Sequence, residues 1–266
     1  MSIPQSKARL FEAPVAVNER VARGIYRLVL RTPELARALE YGQFVNVKAP
    51  GETTQVLRVP LSFSRANRRN GAVEIVYAVV GTGTRAIQSA RPGSMLSVVG
   101  PCGNPWRVRE GQGRSVVVSG GVGITPILGA ACMLGEHGVP FDAVAGAQTA
   151  KRLWGTRDLK RAGAGQVLVT TDDGSLARKG FATDALADLL DEGGVEQVYA
   201  CGPEPMLAGV ARLCAARDVA CQVSMERMMC CGFAACGTCN VPLAAGGYAS
   251  VCGNGPIFDA KEVAWQ

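Results

Sequence analysis

The chain has 266 residues, 48% hydrophobic and 19% charged, with a net charge of +6 and ten cysteines. That balance describes a folded chain of one large or two medium domains with a small appendage, and it excludes a disordered one. Basic residues fall in small groups (Arg65, Arg68 and Arg69; Lys151, Arg152 and Arg157) with few aromatics between them. A stacking surface for nucleic acid is therefore missing, and a solvated face or a phosphate-bearing cofactor is expected instead.

Residues 1–20 alternate charged, polar and apolar side chains without the apolar core of a signal peptide, so a cytosolic chain with reduced thiols is expected. The next eighty residues predict strands over 24–31, 43–48, 55–64, 73–80 and 95–99. Thr32-Pro33, Ala49-Pro50-Gly51, Asn70-Gly71 and Pro92-Gly93 punctuate them, and one short helix fits 84–90. Many short strands at this spacing argue for a barrel. Arg58-Val59-Pro60-Leu61-Ser62 and Gly81-Thr82-Gly83-Thr84 stand out here. Gly83 and Thr84 open a helix after a strand, a phosphate geometry, although each run taken singly also reads as an edge strand with proline or a hairpin turn.

From about residue 113 the rhythm changes. Ser115-Val116-Val117-Val118-Ser119 reads as a buried strand, followed by a glycine turn and an apolar helix to about residue 134. The charge-free stretch 115–135 is long enough to raise a membrane span, but Gly120, Gly121, Gly123 and Pro126 at its centre favour strand, turn and helix. Further strands are predicted over 141–146, 166–171 and 195–200, with helices over 183–190 and 204–216. Alternation of this kind gives a parallel, doubly wound sheet.

The turn Gly120-Gly121-Val122-Gly123-Ile124-Thr125-Pro126 combines glycines for close backbone approach, Thr125 as an expected N-cap and Pro126 as an expected first helical residue. Together they predict an anion site at a helix N-terminus. Cys201-Gly202-Pro203 follows run 195–200, read as the last sheet strand, and is either a ligand-side loop at the sheet's C-terminal edge or a turn with a buried cysteine. Thr171-Asp172-Asp173-Gly174-Ser175 ends another strand at that edge, and either bonds a ribose or forms a turn and cap. The single histidine, His137, follows the apolar helix and precedes Gly138, which places it at a helix end.

Near the C-terminus Cys231, Cys236, Cys239 and Cys252 read C-x4-C-x2-C with a distant fourth cysteine, the plant-type [2Fe–2S] spacing. A four-cysteine zinc site would more usually pair its ligands as two close knuckles. The loop 231–239 consists of small residues, as close amide approach to a cluster requires, and Cys230 is an extra thiol outside the spacing. Domains are expected over 1–108 (barrel), 109–222 (α/β) and 223–266 (cluster).

In chain order these motifs resemble the ferredoxin-reductase flavoprotein superfamily, and within it the electron-transfer subunits of NAD-dependent dihydroorotate dehydrogenases. Residues 58–62, 76–78, Gly81-x-Gly83-Thr84, Gly100-Pro101-Cys102-Gly103-Asn104 and 120–126 carry the likeness, together with 171–175, Gly180-Phe181-x-Thr183-Asp184, 201–206, 226–239 and Cys252-x-x-Gly255-Pro256-x-Phe258. The resemblance implies an antiparallel flavin-binding β-barrel, a nucleotide-binding α/β domain and a small [2Fe–2S] domain. It places FAD against Arg58, Val59, Pro60, Leu61, Ser62, Val76, Tyr77, Ala78, Gly83 and Thr84. NAD would lie over Gly120, Gly121, Gly123, Thr125 and Pro126, near Asp172, Asp173, Gly202 and Pro203, with Cys201 by the nicotinamide in a catalytic position. An acidic pair at 172–173 beside the ribose would disfavour a 2′-phosphate. Val59 stands where the family has arginine, and Ala234 where it has glycine.

The resemblance further implies a partner, an FMN-containing dihydroorotate dehydrogenase catalytic subunit, in a heterotetramer of two subunits of each kind. Hydride exchange between nicotinamide and flavin needs orientation rather than a general base, and FAD converts between paired and single electrons. A small subunit of an NADH-dependent ferredoxin:NADP oxidoreductase or of a hydrogenase diaphorase is the rival; a zinc-stabilised binding module is the rival from another class.

Overall fold

The computed structural model describes residues 8–51 and 56–265. Residues 1–7, part of the segment read for a leader, and Gln55, with which the predicted strand 55–64 opens, lie outside the described residues.

The N-terminal half is an antiparallel barrel of β1 (Arg9–Ala22), β2 (Ile25–Arg31), β3 (Phe44–Val47), β4 (Val59–Ser62), β5 (Arg65–Asn67), β6 (Ala72–Ala78) and β7 (Met95–Cys102), in the order β4-β3-β7-β1-β2-β6-β5. Helix α1 (Pro33–Ala38) and helix α2 (Thr82–Gln88) fill two of the connections. Only Phe63 and Ser64 separate β4 from β5, and the Ser64 amide donates to Glu74 O at 2.8 Å. This one stretch thus pairs with β3 on one side and β6 on the other, which closes the sheet on itself. Leu28, Leu30, Val45, Phe63, Ile75 and Tyr77 fill the interior.

Strand β1 is absent from the sequence reading. Its inward residues Ala13 and Val15 alternate with Glu12 and Pro14, and it pairs with β7 over Arg9–Pro14 before passing to β2 from Val15. The hand-over coincides with a register shift between Val15 and Val17, where a proline nearby is tolerated.

The second sheet runs β11 (Arg178–Lys179), β10 (Val167–Thr171), β9 (Phe141–Ala147), β8 (Ser115–Gly120), β12 (Gln197–Cys201), β13 (Ala220–Ser224) and β16 (Ile257–Asp259). All neighbours are parallel except β16, which is antiparallel to β13. Two strands therefore lie beyond β12, so run 195–200 is not the last strand of the sheet. The second of them comes from the cysteine-rich segment, which otherwise contributes the hairpin β14 (Asn240–Pro242) and β15 (Tyr248–Ser250). Strand β8, first in sequence, sits mid-sheet with later strands added on both sides, so the topology reverses between β8 and β12.

Helices α3 (Ile124–Glu136), α4 (Thr156–Arg161), α5 (Ala182–Asp191) and α6 (Glu204–Ala215) connect these strands. The charge-free stretch is thus divided between β8 and α3, and among the described residues no helix is long and apolar enough to cross a membrane. His137 caps the C-terminus of α3.

The barrel and the α/β sheet are joined by specific bonds. Thr125 is not the N-cap of α3: the helix opens at Ile124, and the buried Thr125 hydroxyl donates to Val76 O in the barrel at 2.8 Å. Pro126 likewise sits inside the first turn, where its carbonyl accepts from Trp106 Nε1 at 3.1 Å. Tyr41 OH donates to Glu136 at 2.9 Å, and Arg65 pairs with Asp158 at 3.1 Å. The buried Thr125 bond contributes about 1 kcal/mol, whereas the half-exposed ion pair adds less than about 1 kcal/mol.

Candidate functional site

A cleft of about 1100 Å³ opens where the topology reverses. Gly120 at the end of β8, Gly121 and Gly123 beyond it, Gly202 and Pro203 beyond β12, and Asp172 beyond β10 line it; Ile25 and Ala78 of the barrel face it. Glycine is required here by proximity. A Cβ on Gly123 would lie 2.4 Å from Cys201 O, and one on Gly120 would lie 2.7 Å from Met206 Sδ. Such an approach sets the side-chain-free turn of residues 121–123 at the cleft just ahead of α3, the kind of loop that binds phosphate.

Other predicted residues are placed differently. The Cys201 thiol is fully buried and pushed up by desolvation; its backbone carbonyl backs Gly123, while its side chain packs in the core beneath the cleft. Asp173 does not line the cleft: its carboxylate accepts from the Ser175 amide at 2.9 Å and hydroxyl at 2.6 Å, which holds its pKa low. Thr125 bonds to the barrel and Pro126 accepts from Trp106, as described. Of residues 76–78 only Ala78 reaches the cleft; Val76 O receives Thr125, and Tyr77 is buried with its hydroxyl on Asn18 Oδ1 at 3.1 Å. The cleft also gathers Phe181, Met225 and Glu226, which sequence reading does not single out as site residues. Their signal is positional, because each lies at or just beyond the sheet's C-terminal edge.

On β4, Val59 and Leu61 pack toward the barrel interior. Pro60 and Ser62 therefore point outward, in register with Asn46 and Phe44 of β3. Arg58 does not offer a free guanidinium to a phosphate, since its Nη1 donates to Ser97 O at 2.9 Å and its Nη2 to Ser97 Oγ at 3.2 Å. Gly83 is buried, and the Thr84 hydroxyl accepts the Val80 and Gly81 amides at 3.0 Å, capping its own helix. What remains for a flavin is the half-buried outer edge of β4 and Ala78 in the cleft wall, and both fit backbone contact with a planar ring.

The four cysteines stand as two pairs. Cys239 and Cys252 Sγ lie 3.2 Å apart, and the free thiols of Cys231 and Cys236 are neighbours. Left-handed Gly232, Ala234 and Gly237 (φ 76°, 65° and 68°) turn loop amides inward. Phe233 N donates to Cys231 Sγ at 3.5 Å and Ala234 N to Cys252 Sγ at 3.0 Å. Holding alanine at a left-handed position costs roughly 1–2 kcal/mol. Among the described residues no three His, Cys, Asp or Glu side chains surround one ion position. Two thiol pairs with inward amides fit two irons, each taking two thiolates.

Cys236 is exposed, and its thiol falls to about 6 through the Thr238 hydroxyl and amide and its hydrogen bond to Cys231. Burial and the neighbouring Cys239 push Cys252 up to about 12. Because a depressed pKa makes the thiolate dominant above it, alkylation of metal-free chain at pH 7 is expected at Cys236 first, at least tenfold faster than at Cys252, and to slow below pH 6. Peptide mass mapping of a brief iodoacetamide pulse checks this order.

The cysteine segment is fastened to the barrel. Asn104 N donates to Gly255 O at 2.6 Å and Asn104 Nδ2 to Asn254 O at 2.7 Å, which brings together the flagged motifs at 100–104 and 252–258. Asn46 of β3, another residue not singled out from sequence, lies against Gly232.

Two family matches agree with this layout. Residues 12–106 match the oxidoreductase FAD-binding domain family, and residues 226–264 match the iron-sulfur cluster binding domain of dihydroorotate dehydrogenase B. The chain is 35% identical over 253 residues to a Geobacillus kaustophilus protein named dihydroorotate dehydrogenase B (NAD(+)), electron transfer subunit, covering 94% of this chain and 96% of that one. A Methanopyrus kandleri protein bearing that name with the qualifier "probable" is 38% identical over 237 residues, covering 89% and 86%. A solved chain from an NADH-dependent reduced ferredoxin-NADP oxidoreductase superposes with a TM-score of 0.86 at 29% identity, over 95% of this chain and 90% of its own. Phthalate dioxygenase reductase, at 16% identity and a TM-score of 0.65 over 88% and 87%, shares the fold. With its FAD-binding barrel, α/β sheet and iron–sulfur segment in this order, the chain belongs to the electron-transfer subunits of dihydroorotate dehydrogenase B.

Proposed function

We propose that this subunit passes electrons from the FMN of a dihydroorotate dehydrogenase catalytic subunit, by way of a [2Fe–2S] centre and FAD, to NAD+, as a step of pyrimidine biosynthesis. The observation that carries the reading is continuity. The cysteine loop rests on β3 of the FAD-binding barrel, and the cleft at the sheet's switch point is walled on one side by the same barrel. When bound, FAD exchanges hydride for single electrons and the cluster carries one electron at a time.

The chain's own residues position and exclude. Gly120, Gly121 and Gly123 offer amides to a dinucleotide phosphate, Asp172 meets its ribose, and Gly202 and Pro203 let the nicotinamide approach the wall formed by Ile25 and Ala78. The exposed Cys236 edge of the loop faces the catalytic subunit, in an assembly of two subunits of each kind. NAD rather than NADP is favoured by Asp172 in the cleft, where a carboxylate repels a 2′-phosphate.

Purified subunit reconstituted with FAD, iron and sulfide is expected to oxidise NADH with artificial acceptors. It should show no dihydroorotate oxidation until the catalytic subunit is added. Strong dihydroorotate turnover by this chain alone would overturn the division of labour. The likeness to the ferredoxin-NADP oxidoreductase chain favours a second reading, a small subunit serving that reaction. Reduction of NADP by the complex with reduced ferredoxin, and none with dihydroorotate, would select it.

A further inference from the structure

We propose that Asn46 is a positioning residue for the cluster loop, holding it against the FAD-binding barrel so that the environment of the cluster depends on the barrel wall. The inference rests on the iron–sulfur reading given above. Asn46 is 5% exposed, between Val45 and Val47, which are fully buried in the barrel interior. Its side chain points the other way. It lies on the outer face shared with Phe44, Pro60 and Ser62, the face turned to the cysteine segment.

Two contacts define its place. Nδ2 donates to the buried Cys102 thiol at 3.5 Å, and the amide, Nδ2 foremost, lies against Gly232, the residue between ligand Cys231 and Phe233. A Cβ on Gly232 would fall 2.6 Å from Asn46 Nδ2, 3.3 Å from its Cγ and 3.5 Å from its Oδ1. The Phe233 amide, next in the chain, donates to Cys231 Sγ, so a shift of Gly232 changes a hydrogen bond on a ligand sulfur.

The scaffold around Asn46 is stiff. Its backbone pairs with Pro60 and with Val99, and its carbonyl accepts Arg58 Nη1 at 3.5 Å. A register shift between Phe44 and Asn46 against β7 brings Cys102 beside the amide. Chemistry argues against a packing role. A buried amide whose bond goes to a thiol, a weak acceptor, is a poorer core residue than valine at the same position. What it offers instead is a polar plane that meets a bare loop backbone.

The test uses the full chain carrying its cofactors. Asn46→Ala is expected to keep iron per chain but to shift the cluster's reduction equilibrium about tenfold, ~59 mV for one electron, with altered EPR g-values and an unchanged flavin potential. Gly232→Ala should lose at least half of the iron. Asn46→Ala/Gly232→Ala should recover part of that loss, because the colliding amide is gone. Should Asn46→Ala fail to fold, Asn46→Asp keeps the shape and brings in a negative charge, and is expected to make the cluster harder to reduce by at least the same factor. Wild-type potential and g-values in the Asn46 variants, or strictly additive iron losses in the double variant, would overturn the assignment. A wild-type chain with no reduced-state EPR signal would instead overturn the iron–sulfur reading itself.

Discussion

Gly123→Ala is expected to weaken NADH binding by at least a hundredfold while leaving the flavin and cluster spectra intact. The methyl group would sit 2.4 Å from Cys201 O, 2.6 Å from Cys201 C and 2.8 Å from Gly202 N. All three are backbone atoms at the end of β12, a strand hydrogen-bonded to β8 and β13 on both sides, so none can swing aside as a side chain would. Relief requires the turn after β8 to lift away from β12, and that turn is the proposed phosphate site. Overpacking against flexible neighbours typically costs 1–3 kcal/mol; against fixed backbone about 3 kcal/mol is expected, which corresponds to roughly a hundredfold in affinity.

Gly121→Ala is the internal control. Gly121 is left-handed at φ 57° with nothing within 4 Å of its would-be Cβ, so conformational strain alone acts. That strain is roughly 1–2 kcal/mol, a loss of about tenfold. Titration calorimetry with NADH should therefore rank the variants wild type, Gly121→Ala, Gly123→Ala. Wild-type affinity in Gly123→Ala would remove this turn from the nucleotide site.

The contrast between these glycines shows what can be read from sequence and what cannot. The run Gly120-Gly121-Val122-Gly123 between a buried strand and a helix is a local pattern, and its place as the turn joining the two was legible from order alone. Which glycine is needed for space and which for its torsion depends on the distant end of β12, and has no local signature. Thr125 departs from the N-cap expectation for the same kind of reason. N-cap preference assumes a hydroxyl that turns back on its own helix, but Val76 O in the barrel is the acceptor it found. Cys201 stands directly before the cleft in sequence, yet strand alternation sends its thiol into the core and leaves only its carbonyl near the turn.

The barrel strands between glycine and proline turns were legible because turn chemistry is local. Strand β1 was not, because Pro14 and the charges around it blur the alternation of Ala13 and Val15. Strand β13 escaped because it is only five residues long, set between a helix end and the cysteine segment, with Ala220 and Gln222 half-exposed. The cysteine spacing was the clearest local signal of all, since ligands within one loop must obey one geometry. The barrel wall behind that loop was invisible, because Asn46 and Gly232 meet only once the whole chain is folded.

Cys252→Ala should remove the cluster and isolate the flavin. Cys252 is the distant member of the proposed ligand set, 4% exposed, with Sγ 3.2 Å from Cys239 Sγ and accepting the Ala234 amide at 3.0 Å. It belongs to the core cluster that also holds Cys239, Val241 and Val251, so alanine keeps a small apolar group there and the local fold should lose only about 1 kcal/mol. The metal site loses more. With one thiolate of the Cys239/Cys252 pair gone, one iron has a single protein ligand, and the inward amide of Ala234 has no sulfur to meet. Iron per chain is expected to fall at least tenfold, with loss of the visible charge-transfer bands and of the reduced-state EPR signal. NADH oxidation with artificial acceptors that draw directly on the flavin should stay within about twofold of wild type, because the cleft and β4 are untouched. Dihydroorotate-driven NAD+ reduction by the reconstituted complex should drop at least a hundredfold, since single-electron tunnelling would have lost its intermediate stop. Cys230→Ala, one residue outside the ligand spacing, should retain its iron, which separates a general need for thiols in this loop from the specific pairing of Cys231 with Cys236 and Cys239 with Cys252. An unchanged complex activity in Cys252→Ala with the iron gone would mean that electrons reach the flavin without the cluster, and the order of the proposed route would have to be redrawn.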